Sequence, residues 1–477
     1  MLKIYSSKKT FSILSKMREV VNPKAAEEFS LATKSLKLKG LPFLAKKVTN
    51  SGRICQTSNL ANGVQVVTEN SSLPGTVSMG VLLNVGTRDE DKKTSGALHS
   101  IKTTYYKSNF NSNETINYGM VQMAGARYDM SFDRETALFK ASCLSHDVVD
   151  IFNMLTDCVL EPRSFVTANA AIEKLGHSHK LESVKGGSSK FTDKILGAVY
   201  GTEGIGMPLL GAEKNIINLD AFTLQRFQME NIKPEEIVVA GVGVENHGEF
   251  LELAEMVFGS LKNGGKREAR VKSVFNEVDL KTFNSASSKT EGVLLLESTT
   301  WTGKDLVLNF LLKQLLGSAD VNGSCSNGLL SSELYQKQKS VYSAEAFNIH
   351  FTDTGLFGLR LVSEGNAFNA SLEQAVKILR SLSTISAESL ESAKRQLKIR
   401  ILESLGKDYQ RVEEIMKQKT LLGHVDIPKI VGDINGVTVE SFTKFVDKLS
   451  KSKKALIVEG SQSSIVHSLD KVKELFK

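Results

Sequence analysis

Apolar residues are arranged so that they predict one complete structural unit in the first half of the chain. Residues 136–141 have the composition of a strand, and residues 236–243, E-I-V-V-A-G-V-G, predict a buried strand about a hundred residues later. Helical periodicity lies between them, over residues 147–159 and again over residues 167–184. The predicted unit is therefore a strand, two helices and a closing strand.

The second half of the chain repeats this order at nearly the same interval. Its strands are predicted at residues 354–361 and 454–460, and its helices at residues 370–382 and 386–405. The halves also start alike, because the apolar runs at residues 76–85 and 292–296 both lead into a turn and a helix. Self-similarity at a long fixed interval is typical of duplicated domains.

The duplication predicts an α+β fold of two homologous lobes, each a mostly antiparallel β-sheet with helices packed on one face. A polar segment rich in Gly and Ser, with N-G-G-K-R and N-S-A-S-S-K, marks the predicted linker between them. The predicted domains are a basic N-terminal segment at 1–53, a first lobe at 54–262, the linker at 263–288 and a second lobe at 289–477.

Apolar run length argues against a membrane span. The longest run, residues 237–244, has eight residues, whereas a spanning helix needs roughly 20. Any membrane association is therefore expected to come through partners. The cysteines are scattered without a C-x-x-C pair, which argues against a disulfide framework and a cysteine zinc site. They are Cys55, Cys143, Cys158 and Cys325.

Positive charge is concentrated at the N-terminus. Residues 1–53 contain 12 Lys or Arg and three Glu, a local charge of +9, and since the whole chain carries +7 the remainder is −2. The body of the protein is therefore not basic, and no nucleic-acid partner is predicted. The first 18 residues have five basic and no acidic residues, with apolar positions at helical spacing. This composition indicates a mitochondrial targeting segment, with a merely disordered basic tail as the alternative.

Several common site motifs are absent or incomplete in the sequence. Gly241 and Gly243 follow a buried strand, but the third glycine of a dinucleotide fingerprint falls on Asn246, so we expect the two glycines to end a strand. There is no P-loop and no G-x-S-x-G motif. His177 and His179 lie on opposite faces of a predicted helix. Glu173 and His177 share a face of this helix and could bind one metal together. A solvated helix surface also explains the pair. No cofactor is predicted.

Five segments together carry a resemblance to a known family. They are L-A-N-G-V-Q-V-V-T-E-N, G-V-L-L-N-V-G-T-R-D-E, S-G-A-L-H-S-I-K, E-I-V-V-A-G-V-G-V-E-N and T-D-T-G-L-F-G. In this order they resemble the pitrilysin-type, or insulinase-like, metallopeptidase family from about Thr57 to the end of the chain. V-V-A-G-V-G-V-E and A-E-A-F-N followed by T-D-T-G-L-F-G are most similar to its alpha-type mitochondrial members and the related core proteins of the cytochrome bc1 complex.

The family's catalytic motif, His-x-x-Glu-His on a helix, is degenerate here. In the family, two imidazoles one turn apart hold zinc and the carboxylate takes a proton from the bound water. The resemblance places His99 on the first imidazole, Lys102 on the general base and Thr103 on the second ligand. A further family carboxylate falls near His179. An ammonium group accepts no proton and repels a metal, so we predict no metal and no catalytic residue in this chain.

The resemblance also implies a glycine-rich loop that handles extended substrates in alpha-type members. Here it runs from Gly317 to Gly328 with Gly323 between them, and Asp320 is one of the side chains that restrict it. Glu333 follows where the family usually has Arg. A retained peptide-binding role and a plain surface connection both stay open.

The resemblance implies a non-catalytic subunit on the matrix side of the mitochondrial inner membrane. Its expected partner is a beta-type processing peptidase or core subunit with an intact zinc motif, and presequence peptides are its expected ligands. The alternative is a purely structural core protein that contacts other subunits of complex III. An independent peptidase is disfavoured by the degenerate motif.

Overall fold

The structure is a computed structural model that describes most of the chain after residue 52. It covers residues 53–71, 75–104, 114–160, 187–212, 215, 219–262, 264–265, 267, 269–285, 287–320 and 328–477. All of these residues belong to one compact unit, Arg53–Lys477. The predicted targeting segment, the helix at 167–184 and Gly323 lie outside the described residues.

Among the described residues, six strands form the sheet of the first lobe. Their order across the sheet is β1-β2-β6-β3-β5-β4. The strands are β1 Cys55–Asn59, β2 Gln65–Glu69, β3 Thr76–Leu83, β4 Arg127–Phe132, β5 Ala137–Leu144 and β6 Ile237–Val242. Only β2 and β6 are parallel neighbours, and the other adjacent pairs are antiparallel.

The described part of the second lobe also has a six-stranded sheet, in the order β7-β12-β8-β11-β10-β9. Its strands are β7 Asp279–Phe283, β8 Lys289–Glu297, β9 Ser318–Asp320, β10 Val341–His350, β11 Gly355–Glu364 and β12 Lys454–Gly460. Again one pair, β7 and β12, is parallel, and the others are antiparallel.

The two sheets share a five-strand core with the same order and directions. Strands β2, β6, β3, β5 and β4 of the first sheet correspond to β7, β12, β8, β11 and β10 of the second. β1 and β9 are additional edge strands, one in each sheet. The two-lobed α+β fold predicted from the repeated pattern is therefore confirmed.

The helices that the structure describes follow the strands in both lobes. In the first lobe they are α1 Ala97–Thr104, α2 Glu114–Met123, α3 Val148–Leu160, α4 Gly187–Tyr200, α5 Ala221–Asn231 and α6 His247–Phe258. In the second they are α7 Leu306–Leu316, α8 Phe368–Ser381, α9 Ala387–Leu405, α10 Asp408–Leu422, α11 Ile427–Gly436, α12 Val439–Ser450 and α13 Leu469–Glu474. A π-helical segment spans Leu330–Tyr335.

One face of each sheet packs against helices of its own lobe. In the first lobe, Met79 and Phe139 share a core with Phe152 of α3 and Phe258 of α6. In the second lobe, Leu294 and Phe357 share a core with side chains from α7, α8 and α12. The alternation of strand side chains places these apolar residues on the helical face.

The second face of each sheet packs against a helix from the opposite lobe. Val412, Ile415 and Met416 of α10 pack on first-sheet residues that include Leu82 and Val238. Side chains of α4 pack in the same way on Val293, Leu295, Leu356 and Ile457 of the second sheet. The prediction that helices pack on one face of each sheet is therefore incomplete. The inner strands are apolar on both faces, so both faces must be covered. We call α4 and α10 the exchanged helices.

Ion pairs fix α10 on the first lobe. Arg411 binds both carboxylate oxygens of the buried Glu69, with Nη2 at 2.6 Å from Oε1. Lys140 of β5 donates to Glu413 at 2.6 Å. The apolar contact of α10 with the first sheet is thus framed by charge-assisted hydrogen bonds, which are stronger than neutral ones.

The segment expected to be a polar linker contains a strand. β7, Asp279–Phe283, lies within it and runs parallel to β12 at the edge of the second sheet. Its side chains are exposed or half-buried, so its sequence lacks the apolar alternation that predicts a strand. The remainder of the proposed domain bounds stays a prediction.

Gly241 and Gly243 lie at the end of β6. Gly243 has φ of +89°, and a Cβ at this position would lie 2.2 Å from the backbone oxygen of Thr76. Only glycine tolerates both this backbone angle and this close contact. The backbone geometry therefore accounts for Gly243, and no phosphate ligand is needed to explain it.

Candidate functional site

Helix α1 carries the residues that correspond to the zinc motif. Its N-terminal turn is held by the buried Glu90, whose Oε2 accepts from the Gly96 N–H at 2.8 Å and whose Oε1 accepts from the Leu98 N–H at 2.9 Å. Burial raises the pKa of Glu90 to about 8, although the two backbone N–H groups oppose this shift. Glu90 therefore sets where α1 begins, and α1 sets the direction of His99.

His99, Lys102 and Thr103 lie together on α1, but their side chains have different surroundings. His99 is buried, with its ring centroid 6.5 Å from that of Phe132. Thr103 Oγ1 donates to the His99 backbone oxygen at 2.8 Å. Lys102 is exposed, and its Nζ lies 5.7 Å from the Phe132 ring centroid. The one-turn spacing of His99 and Thr103 is thus present without two imidazoles.

These donors do not fit a zinc ion. Zinc sites in proteins use thiolates, imidazoles and carboxylates, usually three or four together. Here one imidazole stands beside a cationic ammonium and a hydroxyl that is bonded to the backbone. Within the described ranges, no three His, Cys, Asp or Glu side chains lie close enough to hold a metal. Glu173, His177 and His179 lie outside those ranges.

The ends of the glycine-rich loop meet at a close backbone contact. Gly317 follows α7 with φ of +69°, and Gly328 lies against it. A Cβ on Gly328 would be 2.4 Å from the Leu316 backbone oxygen and 2.6 Å from Gly317 Cα. Both glycines are therefore required by the geometry of the loop base.

The two acidic residues of the predicted substrate site occupy different places. Asp320 is the last residue of the short edge strand β9, opposite Ser343 of β10. Glu333 lies in the π-helical segment and forms an i, i+4 ion pair with Lys337, which is exposed. The structure brings Gly317 and Gly328 together, whereas Glu333 forms an ion pair at the surface.

A buried ion network at the junction of the lobes was missed by the sequence analysis. Arg88 donates from Nη1 to Glu135 Oε1 at 2.8 Å and from Nη2 to Asp353 Oδ2 at 2.6 Å. Glu135 also accepts from Thr352 Oγ1 at 2.6 Å and from its backbone N–H at 2.9 Å. Burial by itself raises the pKa of Asp353, but hydrogen bonds from Arg88 and the Ser273 N–H outweigh it and hold the pKa below its usual value.

A second arginine extends this network to the segment between the lobes. Arg270 binds Asp89 with Nε at 2.9 Å from Oδ1 and Nη2 at 2.7 Å from Oδ2. It also donates to the backbone oxygens of Asn84 and Glu135. The G-T-R-D-E and T-D-T-G motifs therefore meet in space, and nothing local in the sequence indicates that they pair.

Two protein-family models match this chain. A model described as insulinase, peptidase family M16, matches residues 65–213. A second, described as the peptidase M16 inactive domain, matches residues 218–397. Together they cover more than half of the chain. The chain belongs to the pitrilysin-type, insulinase-like metallopeptidase family.

Its curated relatives include both subunit types of one mitochondrial enzyme. The mitochondrial-processing peptidase subunit beta of Blastocladiella emersonii is 26% identical over 413 residues, which are 84% of this chain and 88% of the relative. Subunit alpha-2 of Dictyostelium discoideum is 24% identical, covering 88% of this chain and 96% of the relative. Subunit beta of Saccharomyces cerevisiae is 22% identical, covering 88% and 94%. Overall identity is thus nearly the same to both types.

None of the described helices is both long enough and apolar enough to cross a membrane.

Proposed function

We propose that this chain is the non-catalytic, alpha-type subunit of a mitochondrial processing peptidase. The observation that carries the proposal is the helix α1, on which Lys102 and Thr103 replace the general base and the second zinc ligand beside the buried His99. Without the family's carboxylate and second imidazole, this part of α1 has neither the general base nor the ligand pair of the zinc motif. The chain's contribution is then to bind and position, and cleavage belongs to its partner.

The proposed partner is a beta-type subunit with an intact zinc motif. Relatives named as subunits alpha-2 and beta support a pair of related chains. An obligate pair of this kind is expected to bury more than about 2,000 Å². Mass photometry of the chain with its beta subunit at micromolar concentration tests this. A heterodimer is expected, and a persistent monomer contradicts the proposal.

The proposed location is the mitochondrial matrix. The relatives are mitochondrial by name, and residues 1–53 have the basic composition of a targeting segment. Fusing these residues to a cytosolic reporter and imaging the cells tests the segment. Matrix import is expected, and a cytosolic reporter contradicts it.

The non-catalytic role is tested with the full chain, alone and with its beta subunit. Alone, it should leave a basic presequence peptide uncleaved and contain no stoichiometric zinc, whereas the pair should cleave. One tightly held zinc per isolated chain, lost on His99→Ala, would overturn the proposal. The same substitution in the pair serves as a control, because it should leave the beta subunit's cleavage unchanged.

We assign presequence contact to the loop from Gly317 to Gly328, which includes Asp320, and to Glu333 after it. Presequences are basic, so Asp320 and Glu333 can attract them, each exposed contact contributing no more than about 1 kcal/mol. The pair carrying Asp320→Asn and Glu333→Gln is expected to show a higher KM for a presequence peptide, with kcat unchanged. The control is Glu440→Gln, which removes an exposed acid from α12. Equal KM values for all three proteins contradict the assignment.

A second role follows from the resemblance to bc1 core proteins, namely a matrix-side core subunit of ubiquinol–cytochrome c reductase. Purification from mitochondrial membranes distinguishes the roles, because a core subunit co-migrates with cytochrome subunits and a free processing peptidase does not. Deleting residues 318–327 in the assembled complex separates them further. Loss of presequence cleavage with intact ubiquinol oxidation supports the binding role, and unchanged cleavage leaves the chain as a structural core protein.

A further inference from the structure

Strand β7 leaves one edge of the second sheet open. In the described part of the chain its only neighbouring strand is β12. The backbone bonds to β12 at its two ends involve Val278 and Asn284, at 2.8 and 3.2 Å. Because backbone groups point to alternate sides along a strand, Asp279, Lys281 and Phe283 face away from β12. No described group bonds to their backbone, so their N–H and C=O groups form an unpaired edge.

The corresponding edge of the first sheet is covered. β2, which corresponds to β7, pairs along its whole length with β1 in an antiparallel register from Cys55–Glu69 to Asn59–Gln65. β1 has five residues and comes directly before β2 in the chain. The duplicated fold therefore shows that an antiparallel strand as long as β1 fits on this edge.

The segment that comes directly before β7 is held elsewhere. The Val271 backbone oxygen accepts from Arg88 Nη2 at 2.7 Å, and the Ser273 N–H donates to Asp353 Oδ2 at 2.7 Å. Further along, the Asn276 N–H donates to a backbone oxygen of α4. These bonds keep the segment at the junction of the lobes, so it does not fold back on β7 as β1 folds on β2. A strand on β7 has to come from another source.

Two large apolar side chains are exposed beside this edge. Phe283 is 69% exposed, and Ile465 is 57% exposed. Lys281 donates from Nζ to the Val466 backbone oxygen at 2.7 Å, so the face of β7 that carries Lys281 and Phe283 lies next to Ile465. Lysine often protects an open edge, but here its amine is bonded away from the edge. Phe283 and Ile465 therefore offer apolar contact to a strand that pairs with β7.

The charges around the edge balance. Residues 277–283 have two acids and one lysine, and residues 469–477 have two acids and three lysines. The two segments are joined by the ion pair of Glu277 with Lys473 at 3.0 Å. A basic segment, such as residues 1–53 or a presequence, gains no net attraction from four acids beside four lysines. The expected occupant is a strand of low charge with an apolar side chain.

We propose that β7 accepts an extended segment of the beta-type partner as an antiparallel seventh strand, with an apolar side chain of that segment on Phe283 and Ile465. In strand addition, main-chain bonds give affinity and alternate side chains give specificity. A second copy of this chain fits less well, because the fullest antiparallel overlap of two β7 strands places Lys281 opposite Lys281. The identity of the partner rests on the proposed function.

The test is residue-resolved hydrogen exchange of the full chain, alone and paired with its beta subunit. On pairing, the outward N–H groups of Asp279, Lys281 and Phe283 should exchange at least about tenfold more slowly. The N–H groups of Leu280 and Thr282 face β12 and should change less. This alternation distinguishes an added strand from a contact made by side chains alone.

Two variants test the edge directly. Phe283→Asp should remove the protection and raise the Kd of the heterodimer at least about tenfold. Met256→Asp on α6 is the matched control, since Met256 is 73% exposed, and it should behave as the wild type does. Lys281→Pro removes an outward N–H while leaving the bonds to β12 in place, and should remove the protection of Asp279 and Phe283. Circular dichroism checks the fold, and Phe283→Asp keeps the test valid if the proline variant does not fold.

Three results would overturn the inference. Unchanged exchange of the outward N–H groups in an assembled heterodimer overturns it and leaves the proposed function intact. Protection in the isolated chain also overturns it, because protection at every concentration shows that another segment of the same chain covers the edge, and protection that rises with concentration shows a second copy. Failure of the heterodimer to form, measured by mass photometry, overturns both the inference and the proposed function.

Discussion

Arg88 and Asp353 bind each other across the two lobes through a bidentate ion pair. The guanidinium donates from Nη1 to Oδ1 at 3.0 Å and from Nη2 to Oδ2 at 2.6 Å. Arg88 lies before α1 in the first lobe, and Asp353 lies in the turn between β10 and β11 of the second. The planar fork of Arg matches a carboxylate in a way that Lys does not, so this pair joins the lobes with a defined geometry.

Arg88→Met is expected to destabilise the chain strongly. The substitution leaves Glu135 and Asp353 without their shared cation, and breaking a buried pair from one side costs about 3–5 kcal/mol. Urea unfolding followed by circular dichroism measures the loss as a lower midpoint. Lys444→Met, which removes an exposed pair with Glu440, should leave the midpoint unchanged. A wild-type midpoint for Arg88→Met contradicts the role of the network.

Stability should fall in acid through Asp353. Its pKa is depressed in the folded chain, so its contribution is present above the unfolded value of 3.8 and is lost as the pH falls through the folded pKa. The difference in unfolding free energy between wild type and Asp353→Asn should therefore stay constant from about pH 7 to about pH 5 and shrink below about pH 4. Urea midpoints from about pH 7 to about pH 3 measure it, and a difference that stays constant over the whole range refutes the prediction.

Glu90 should act in the opposite direction. Its pKa is raised from 4.5 to about 8 by burial, so the folded chain favours the protonated acid. The contribution is complete below the unfolded pKa and is lost as the pH rises through the folded one. Relative to Glu90→Gln, which stays neutral, the wild type should lose stability from about pH 5 to about pH 9. The same urea series measures this, and parallel curves for the two proteins would count against it.

Restoring the motif should restore metal affinity in part. The double variant Lys102→Glu, Thr103→His places two imidazoles one turn apart on α1 with a carboxylate beside them. Zinc binding by competition with a chelator should become measurable, and Lys102→Glu alone should bind far more weakly. Presequence cleavage should stay absent, because a complete catalytic site needs a third protein ligand. No gain in zinc affinity over the single variant would show that α1 does not present both positions to one ion.

Gly80→Ala should disturb the packing of α10 against the first sheet. A Cβ at this position would lie 2.7 Å from Met416 Cε and 2.8 Å from the Phe139 backbone oxygen, so both must move. Overpacking of this kind costs about 1–3 kcal/mol. Gly432→Ala on α11 is the matched control, since nothing lies within 4 Å of its added Cβ. Thermal unfolding compares the two, and an equal effect of both substitutions contradicts the close approach.

The sequence predicted those elements whose own residues carry a strong pattern. Strand β12 has the predicted bounds, Lys454–Gly460, and helix α9 begins one residue after its prediction. The equivalence of β5 with β11 was also predicted from spacing. These elements are buried along regular periods, so local sequence determines them.

Features that depend on distant partners were not predicted. The amphipathic pattern of α10 shows that one face is buried, but it does not show which sheet covers that face. Arg88 and Asp353 are 265 residues apart, so their pairing has no local signal. At the degenerate motif the sequence shows which residue types are present. The burial of His99 and the hydrogen bond from Thr103 to the backbone depend on the packing of α1, which the sequence does not show.

Because of the exchanged helices, the first lobe can be completed only late in synthesis. The first sheet has all its strands once Val242 is made, but α10, which covers its second face, begins only at Asp408. Until then an apolar face that includes Leu82 and Val238 stays open, and exposed faces of this kind promote aggregation. The first lobe therefore reaches its native environment only after most of the second has been translated.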